Sequence, residues 1–242
     1  MDNKPIVLVT GAAKRIGRGI ALRLYQAGYR VAIHYGSSEK DARATAEECG
    51  SAPLFQANLE KVDDIKRMFR EVEEQLGGLY GLVNNAARFR RRDPLQLTEA
   101  DWDFIHSVNL KATFFCCQQG ALLMKKGLMK ETGAGRIVNI SSLGGIRPWD
   151  QYAHYCASKA GVIMLTRALA NAFAPEITVN SVAPGVILAS SEDPRAQDLI
   201  AATPAQRSGT PEEIADAVLY FINASNFVTG QVLAVDGGLS QR

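Results

Sequence analysis

The chain alternates short apolar runs with longer segments whose apolar positions recur every three or four residues. Ile6-Val-Leu-Val-Thr10 is apolar and β-branched with no polar face, the pattern of a strand buried on both sides. Comparable runs predict strands near 30–35, 53–56, 79–83, 135–141, 176–182 and 231–235. Helical periodicity predicts helices near 15–27, 38–49, 60–76, 99–126, 151–173 and 211–223. Gly28 stops the first of these; Thr98 with Glu99 and Asp101 starts the fourth, and Thr210-Pro-Glu-Glu starts the last. Alternation of this kind predicts an α/β fold, a parallel sheet of about seven strands with helices on both faces. In such a sheet a ligand sits outside the carboxyl ends of the strands. Between Gly185 and Thr210 the periodicity weakens, and a mobile cover over that ligand is expected.

Composition narrows the class. With 242 residues the chain is long enough for one domain with a large core, and the domain is read as 1–242. A net charge of +2 offers no extended nucleic-acid surface. No apolar stretch approaches ~18 residues, and strand character from Pro5-Ile6 leaves no room for a signal peptide, so a cytoplasmic location is expected. Cys49, Cys116, Cys117 and Cys156 lack metal-ligand or disulfide-scaffold spacing and read as buried hydrophobes. His34, His106 and His154 have no metal spacing either, and His154 reads as a loop or helix-surface residue. No metal is expected.

Two motifs carry chemistry. The first strand runs into Gly11-Ala-Ala-Lys-Arg-Ile-Gly17-Arg-Gly19 and then a helix, an order that builds a phosphate cradle. Gly11 serves the tight turn and Gly17 the close approach of a pyrophosphate. The second motif is Tyr155-Cys-Ala-Ser-Lys159, with Ser142 thirteen residues before the tyrosine. Residues four apart share a helix face, so phenol and ammonium point into the same space. At ~4 Å and an effective dielectric of ~20, the lysine stabilises a phenolate by ~4 kcal/mol, which lowers its pKa by up to roughly three units. A tyrosine so tuned is a usable acid and base.

These stretches, together with Asn84-Asn-Ala-Ala87, Asn109, Ile140-Ser-Ser142, Asn180-Ser-Val-Ala-Pro-Gly185 and Asp236-Gly-Gly238, resemble the short-chain dehydrogenases/reductases along nearly the whole chain. The resemblance implies a Rossmann-type, doubly wound single domain and a nicotinamide cofactor. It implies catalytic Ser142, Tyr155 and Lys159, with Asn109 holding a proton-relay water beside the lysine. Cofactor contacts are implied for Gly11, Lys14, Arg15, Ile16, Gly17, Tyr35, Ser37, Ser38, Asn58, Leu59, Asn85, Ala86, Ala87, Tyr155, Lys159, Pro184, Gly185 and Ile187. A homotetramer paired through the helices near 99–126 and 151–173 is the family expectation. The chain departs from the usual pattern at Ala87, at Asn58 and in Val186-Ile-Leu-Ala189, where a threonine is usual.

The second strand ends in Tyr35-Gly-Ser-Ser38 without a carboxylate for a ribose 2′-hydroxyl, whereas Arg15, Ser37 and Ser38 suit a 2′-phosphate. NADPH/NADP+ is therefore the expected cofactor. The alternative is NADH, with Glu39 turned back to the ribose. A small carbonyl substrate is expected, and the chain is most similar to 3-oxoacyl-acyl-carrier-protein reductases. The run Arg88-Phe-Arg-Arg-Arg92 reads as a solvated loop or as a basic lip for an acidic carrier protein. Pteridine reductases resemble it less: they share Thr10-Gly-Ala-Ala-Lys-Arg15 and place an aromatic at Phe89, but have Asp where this chain has Ser142. A non-catalytic NADPH sensor on the same scaffold is the reading outside enzymes, and the intact Ser142, Tyr155 and Lys159 weigh against it.

Overall fold

A computed structural model describes residues 4–126, 135–187 and 194–241. Seven parallel strands form one sheet in the order β3-β2-β1-β4-β5-β6-β7. They are β1 (Ile6–Val9), β2 (Arg30–Tyr35), β3 (Leu54–Gln56), β4 (Gly81–Asn84), β5 (Gly135–Ile140), β6 (Ile177–Pro184) and β7 (Val232–Val235). The order reverses between β1 and β4, and a doubly wound sheet opens its binding crevice at that point.

Alternation within the strands builds two cores. Val7 and Val9 of β1 join Val31, Ile33, Val83, Val138 and Val182 on one face. There they pack on α1 (Arg15–Gln26), α2 (Glu39–Glu48) and a C-terminal helix (Pro211–Asn223), through Ile20, Leu24, Ala42, Ile214 and Val218. Ile6 and Leu8 point the other way, onto α3 (Val62–Leu76) and the helices on either side of β5. On α3 the buried residues Ile65, Met68, Phe69 and Val72 follow helical spacing, so its apolar stripe faces the sheet.

The stretch expected as one helix over 99–126 is three joined pieces. α4 (Glu99–His106) starts with a capping box between Thr98 and Asp101, a π-helical turn spans Ser107–Ala112, and α5 (Thr113–Lys126) follows. After β5 come α6 (Ala153–Phe173), α7 (Pro194–Ala202) and α8 (Pro211–Asn223), the last with a Thr210–Glu213 capping box. The expected cover over 185–210 therefore contains a helix, and Ile187 bridges Gly209 in parallel. Residues 188–193 lie outside the described residues, as does the Leu188-Ala189 part of the departure noted above.

Inside the sheet runs a buried polar chain. Asn84 Nδ2 donates to Asn139 Oδ1 at 2.9 Å, and Asn139 Nδ2 donates to Thr166 Oγ1 of α6 at 3.0 Å. Ser181 Oγ donates to Ser141 Oγ at 2.7 Å, and Ser141 Oγ donates to the Val182 carbonyl at 3.1 Å. No described helix is long and apolar enough to cross a membrane.

Candidate active site

β5 ends at Ile140, and the two serines that follow part ways. Ser141 spends its hydroxyl on β6. Ser142, in extended backbone, accepts the Gly144 N–H at 3.1 Å and keeps its own O–H to donate. Tyr155 and Lys159 sit one turn apart near the start of α6, both buried, and line the same cleft of about 810 Å³ as Ser142. Lys159 Nζ donates to the Ile140 carbonyl at 2.8 Å and lies 5.9 Å from the Tyr155 ring centre.

This geometry corrects the expected electrostatics. Burial pushes the Tyr155 phenol up to about 12, against a hydrogen bond with Ser142 that favours the phenolate. Burial also pulls Lys159 down to about 8. The expected lowering of the phenol assumed an ammonium near its oxygen. Here the ammonium is spent on a carbonyl at the end of β5, and loss of water dominates both groups.

The glycine turn is braced from three strands. Gly11 has φ +62°, the left-handed region, and its N–H donates to His34 Nδ1 at 3.1 Å. Asn85 Nδ2 donates to the carbonyls of Thr10 and Gly11, both at 3.0 Å, while Thr10 Oγ1 accepts the N–H groups of Asn85 and Ala86. A Cβ on Gly17 would lie 2.2 Å from the Gly11 carbonyl oxygen and 2.5 Å from Asn85 Nδ2. No side chain caps the N-terminus of α1 and no acidic residue occupies its first turn, which suits an anion there. Arg15, the first residue of α1, is exposed and also has positive φ, at 51°. Sequence reasoning missed His34 and Thr10; a buried histidine in an apolar strand end was the available signal for the first.

The other expected cofactor residues distribute along this crevice. Ile16, Asn85, Ala87, Pro184, Gly185 and Ile187 line the cleft with Tyr155 and Lys159. Ala86 sits against the Gly11 turn. Ser37 is exposed and Ser38 half-buried before α2, with Tyr35 at the end of β2. Lys14 pairs with Asp41 at 2.9 Å, and Glu39 pairs with Arg43 at 2.5 Å rather than turning toward a ribose. Asn58 closes its own loop: its N–H donates to Asp64 and its Oδ1 accepts from the Glu60 N–H. Leu59 is buried beside it.

Several expectations shift. Asn109 sits in the π-helical turn. Its amide grips the Arg88 backbone at both N–H (2.7 Å) and carbonyl (2.9 Å), and donates to Ser158 Oγ at 3.2 Å. Asn84 is not a cleft residue; it belongs to the polar chain within the sheet. The basic run is an exposed loop, as one of its two readings expected, but not a lip of free cations. Arg88 pairs with Glu60, and Arg90 and Arg92 both pair with Asp101, which leaves Arg91 lining the cleft. Thr98 and the two arginines hold the Asp101 carboxyl down at about 2. His154 is fully buried, not on the surface, and both its ring nitrogens lack partners among the described residues. Cys116 and Cys117 are buried, and burial pushes the Cys117 thiol up to about 12.

A hydroxyl pair and a buried lysine thus meet at the mouth of a glycine-built crevice on a doubly wound sheet. A family model described as enoyl-(acyl carrier protein) reductase matches residues 11–240. The chain is 38% identical over 242 residues to the 3-oxoacyl-[acyl-carrier-protein] reductase FabG of Staphylococcus aureus, covering 96% of both. The chain belongs to the short-chain dehydrogenase/reductase family. It is an oxidoreductase of that family. A crystal structure of an actinorhodin polyketide ketoreductase variant with NADPH superposes with a TM-score of 0.89 at 33% identity, covering 100% of this chain and 99% of that one. A short-chain dehydrogenase/reductase from Burkholderia xenovorans matches at TM-score 0.88 and 28% identity, over 100% of each chain.

Proposed function

We propose that the protein is an NADPH-dependent reductase of 3-oxoacyl-type carbonyl compounds, with Tyr155 as proton donor. The observation that carries the reading is the convergence of Ser142, Tyr155 and Lys159 in one cleft with the Asn85-braced glycine turn. The names of the relatives support the substrate class, and the neighbour solved with NADPH supports the cofactor.

The residues present fit a dinucleotide. The turn packs too closely at Gly17 for any side chain, and the uncapped start of α1 offers backbone N–H groups to a pyrophosphate. Arg15, Ser37 and Ser38 offer a cation and two hydroxyls to a 2′-phosphate, while the carboxylates nearby, Glu39 and Asp41, are held by Arg43 and Lys14. Lys159, Tyr155, Pro184, Gly185 and Ile187 would bound the nicotinamide end.

When bound, the reduced nicotinamide supplies a hydride to the carbonyl carbon. Ser142 turns its O–H from Tyr155 to the carbonyl oxygen and fixes it beside the phenol. The Tyr155 phenol, held near 12, keeps its proton at neutral pH and releases it as negative charge grows on that oxygen. Lys159, anchored on Ile140, places positive charge behind the phenol and stabilises the tyrosinate left by that transfer. Asn109 holds the 88–89 loop and, through Ser158, the first turn of α6. Exposed Phe114, Leu122 and Met164 on α5 and α6 support pairing of copies through these helices, as the tetramer expectation requires.

The test is NADPH oxidation with acetoacetyl thioester, free and on an acyl carrier protein. Turnover that vanishes in Tyr155→Phe, with NADPH still bound, supports the reading. No turnover with either substrate overturns it.

A further inference from the structure

Part of the cleft's lining is aromatic. Phe89 is 58% exposed. It stacks on Tyr152 with ring centres 4.7 Å apart and planes 13° apart, and meets Tyr155 edge-on at 4.7 Å and 85°. Trp149 meets Phe89 edge-on at 6.4 Å and 89°, and lies parallel to Tyr155 at 6.0 Å and 8°. All four rings line the cleft that holds the Ser142 hydroxyl. Ile16, Asn85 and Ile187 line the same cleft. Phe89 and Trp149 both pack on the Tyr155 ring, so the cleft beside the tyrosine has an aromatic wall.

Charge does not override this wall. Arg91 lines the cleft, but so do Asp150 and Asp198. The remaining arginines of the run are held by Glu60 and Asp101. Recognition along this wall falls to the rings.

We propose that Phe89 and Trp149 select substrates whose reacting carbonyl is conjugated to a planar aromatic group, an aryl ketone or aryl 3-oxo ester, over aliphatic chains of equal size. The proposal rests on the reductase reading above and names its substrate class. A ring attached to the carbonyl continues the existing arrangement, offset over Phe89 or edge-on to Trp149, while the carbonyl oxygen stays within reach of Tyr155 and Ser142. Ring faces and edges carry opposite partial charge, so an aromatic guest gains beyond the area it buries, and an aliphatic guest gains only the area. One or two such contacts correspond to roughly tenfold in kcat/KM. The chemistry balances as in any carbonyl reduction: the carbon gains a hydride from NADPH and the oxygen a proton from Tyr155, leaving a secondary alcohol and NADP+.

Three 3-oxo esters of matched size decide it: ethyl benzoylacetate, its cyclohexyl counterpart ethyl 3-cyclohexyl-3-oxopropanoate, and ethyl 3-oxononanoate, with acetoacetyl thioester as reference. The phenyl compound is expected to exceed the other two by about tenfold in kcat/KM, chiefly through KM. Conjugation makes an aryl ketone intrinsically less electrophilic, so such an excess comes from the protein. Phe89→Leu and Trp149→Leu should each lower the phenyl-to-cyclohexyl ratio severalfold, a comparison from which intrinsic reactivity cancels. A wild-type ratio at or below one, or a ratio unmoved by both substitutions, overturns the proposal. Turnover of the thioester without turnover of any ester sinks the aryl selection and leaves the reductase; silence with all four substrates sinks the reductase reading as well.

Discussion

The Gly11 backbone N–H donates to Nδ1 of His34 at 3.1 Å, and His34 Nε2 faces the Ala57 carbonyl at 3.2 Å. A backbone amide has only a proton to give, so Nδ1 is the bare nitrogen and Nε2 carries the hydrogen. One neutral imidazole thus ties the glycine turn after β1 to β2 and to the loop after β3. Burial holds its pKa at about 4.

That pKa sets an acid liability. Between the unfolded value near ~6.5 and the folded value, the unfolded chain binds a proton that the fold refuses, so stability is full above pH ~6.5 and falls as pH drops toward 4. At pH 5 the loss from this site is about 2 kcal/mol. His154, also lowered by burial, adds to the slope. Urea midpoints at pH 7 and pH 5 are expected to differ less in His34→Gln than in the wild type, by an amount near that figure; equal differences would count against the strap.

Tyr155→Phe removes the proposed proton donor and little else, because the ring remains packed against Trp149 and Phe89. A loss of roughly 10²–10⁴ in kcat is expected. NADPH affinity, read by fluorescence titration, should stay within a few-fold.

Lys159 loses its charge near pH 8. In the free enzyme the proposed mechanism needs the ammonium, so kcat/KM should fall as pH rises through about 8. Lys159→Arg keeps a cation at all accessible pH, and its profile should lack that descending limb even at reduced rate. A wild-type profile flat from pH 7 to 9.5 would remove the lysine from the chemistry.

Arg15 stands exposed at the start of α1, close to the uncapped backbone of that helix. Arg15→Ala should weaken NADPH binding by roughly 10–100-fold, the worth of a charged hydrogen-bonded pair, and leave NADH binding nearly unchanged. Parallel titrations with the two cofactors at one ionic strength check it.

Gly17→Ala places a methyl where the Gly11 carbonyl and the Asn85 amide already sit. Both neighbours are fixed by backbone or by paired hydrogen bonds, so the turn itself must shift. A destabilisation of about 1–3 kcal/mol by urea unfolding is expected, together with loss of measurable NADPH binding.

Much of this was legible in the chain. Short apolar runs located all seven strands, the clearest being β1, β5 and β6, which are buried along their whole length. Gly11, Gly17, Ser142, Tyr155 and Lys159 stood out because their chemistry depends on local spacing. What stayed hidden depends on distant neighbours. The arginine run reads as unpaired charge until Glu60 and Asp101 come beside it. Asn84 reads as a turn residue until Asn139 arrives from β5. The tyrosine–lysine pair was placed correctly on one helix, yet its electrostatics were misjudged, since burial is a property of the whole fold.

The side chains joining Asn84, Asn139, Ser181 and Thr166 also act on how the strands find each other. A sheet of valines and isoleucines offers nearly equivalent alignments. Sliding β5 one step would turn Asn139 to the opposite face, away from both Asn84 and Thr166, and each amide or hydroxyl left dry costs about 1–3 kcal/mol. The hidden amides therefore work as a notch: misaligned sheets are penalised several times over, and the centre strands lock in the one offset that also brings Ser142 opposite Tyr155.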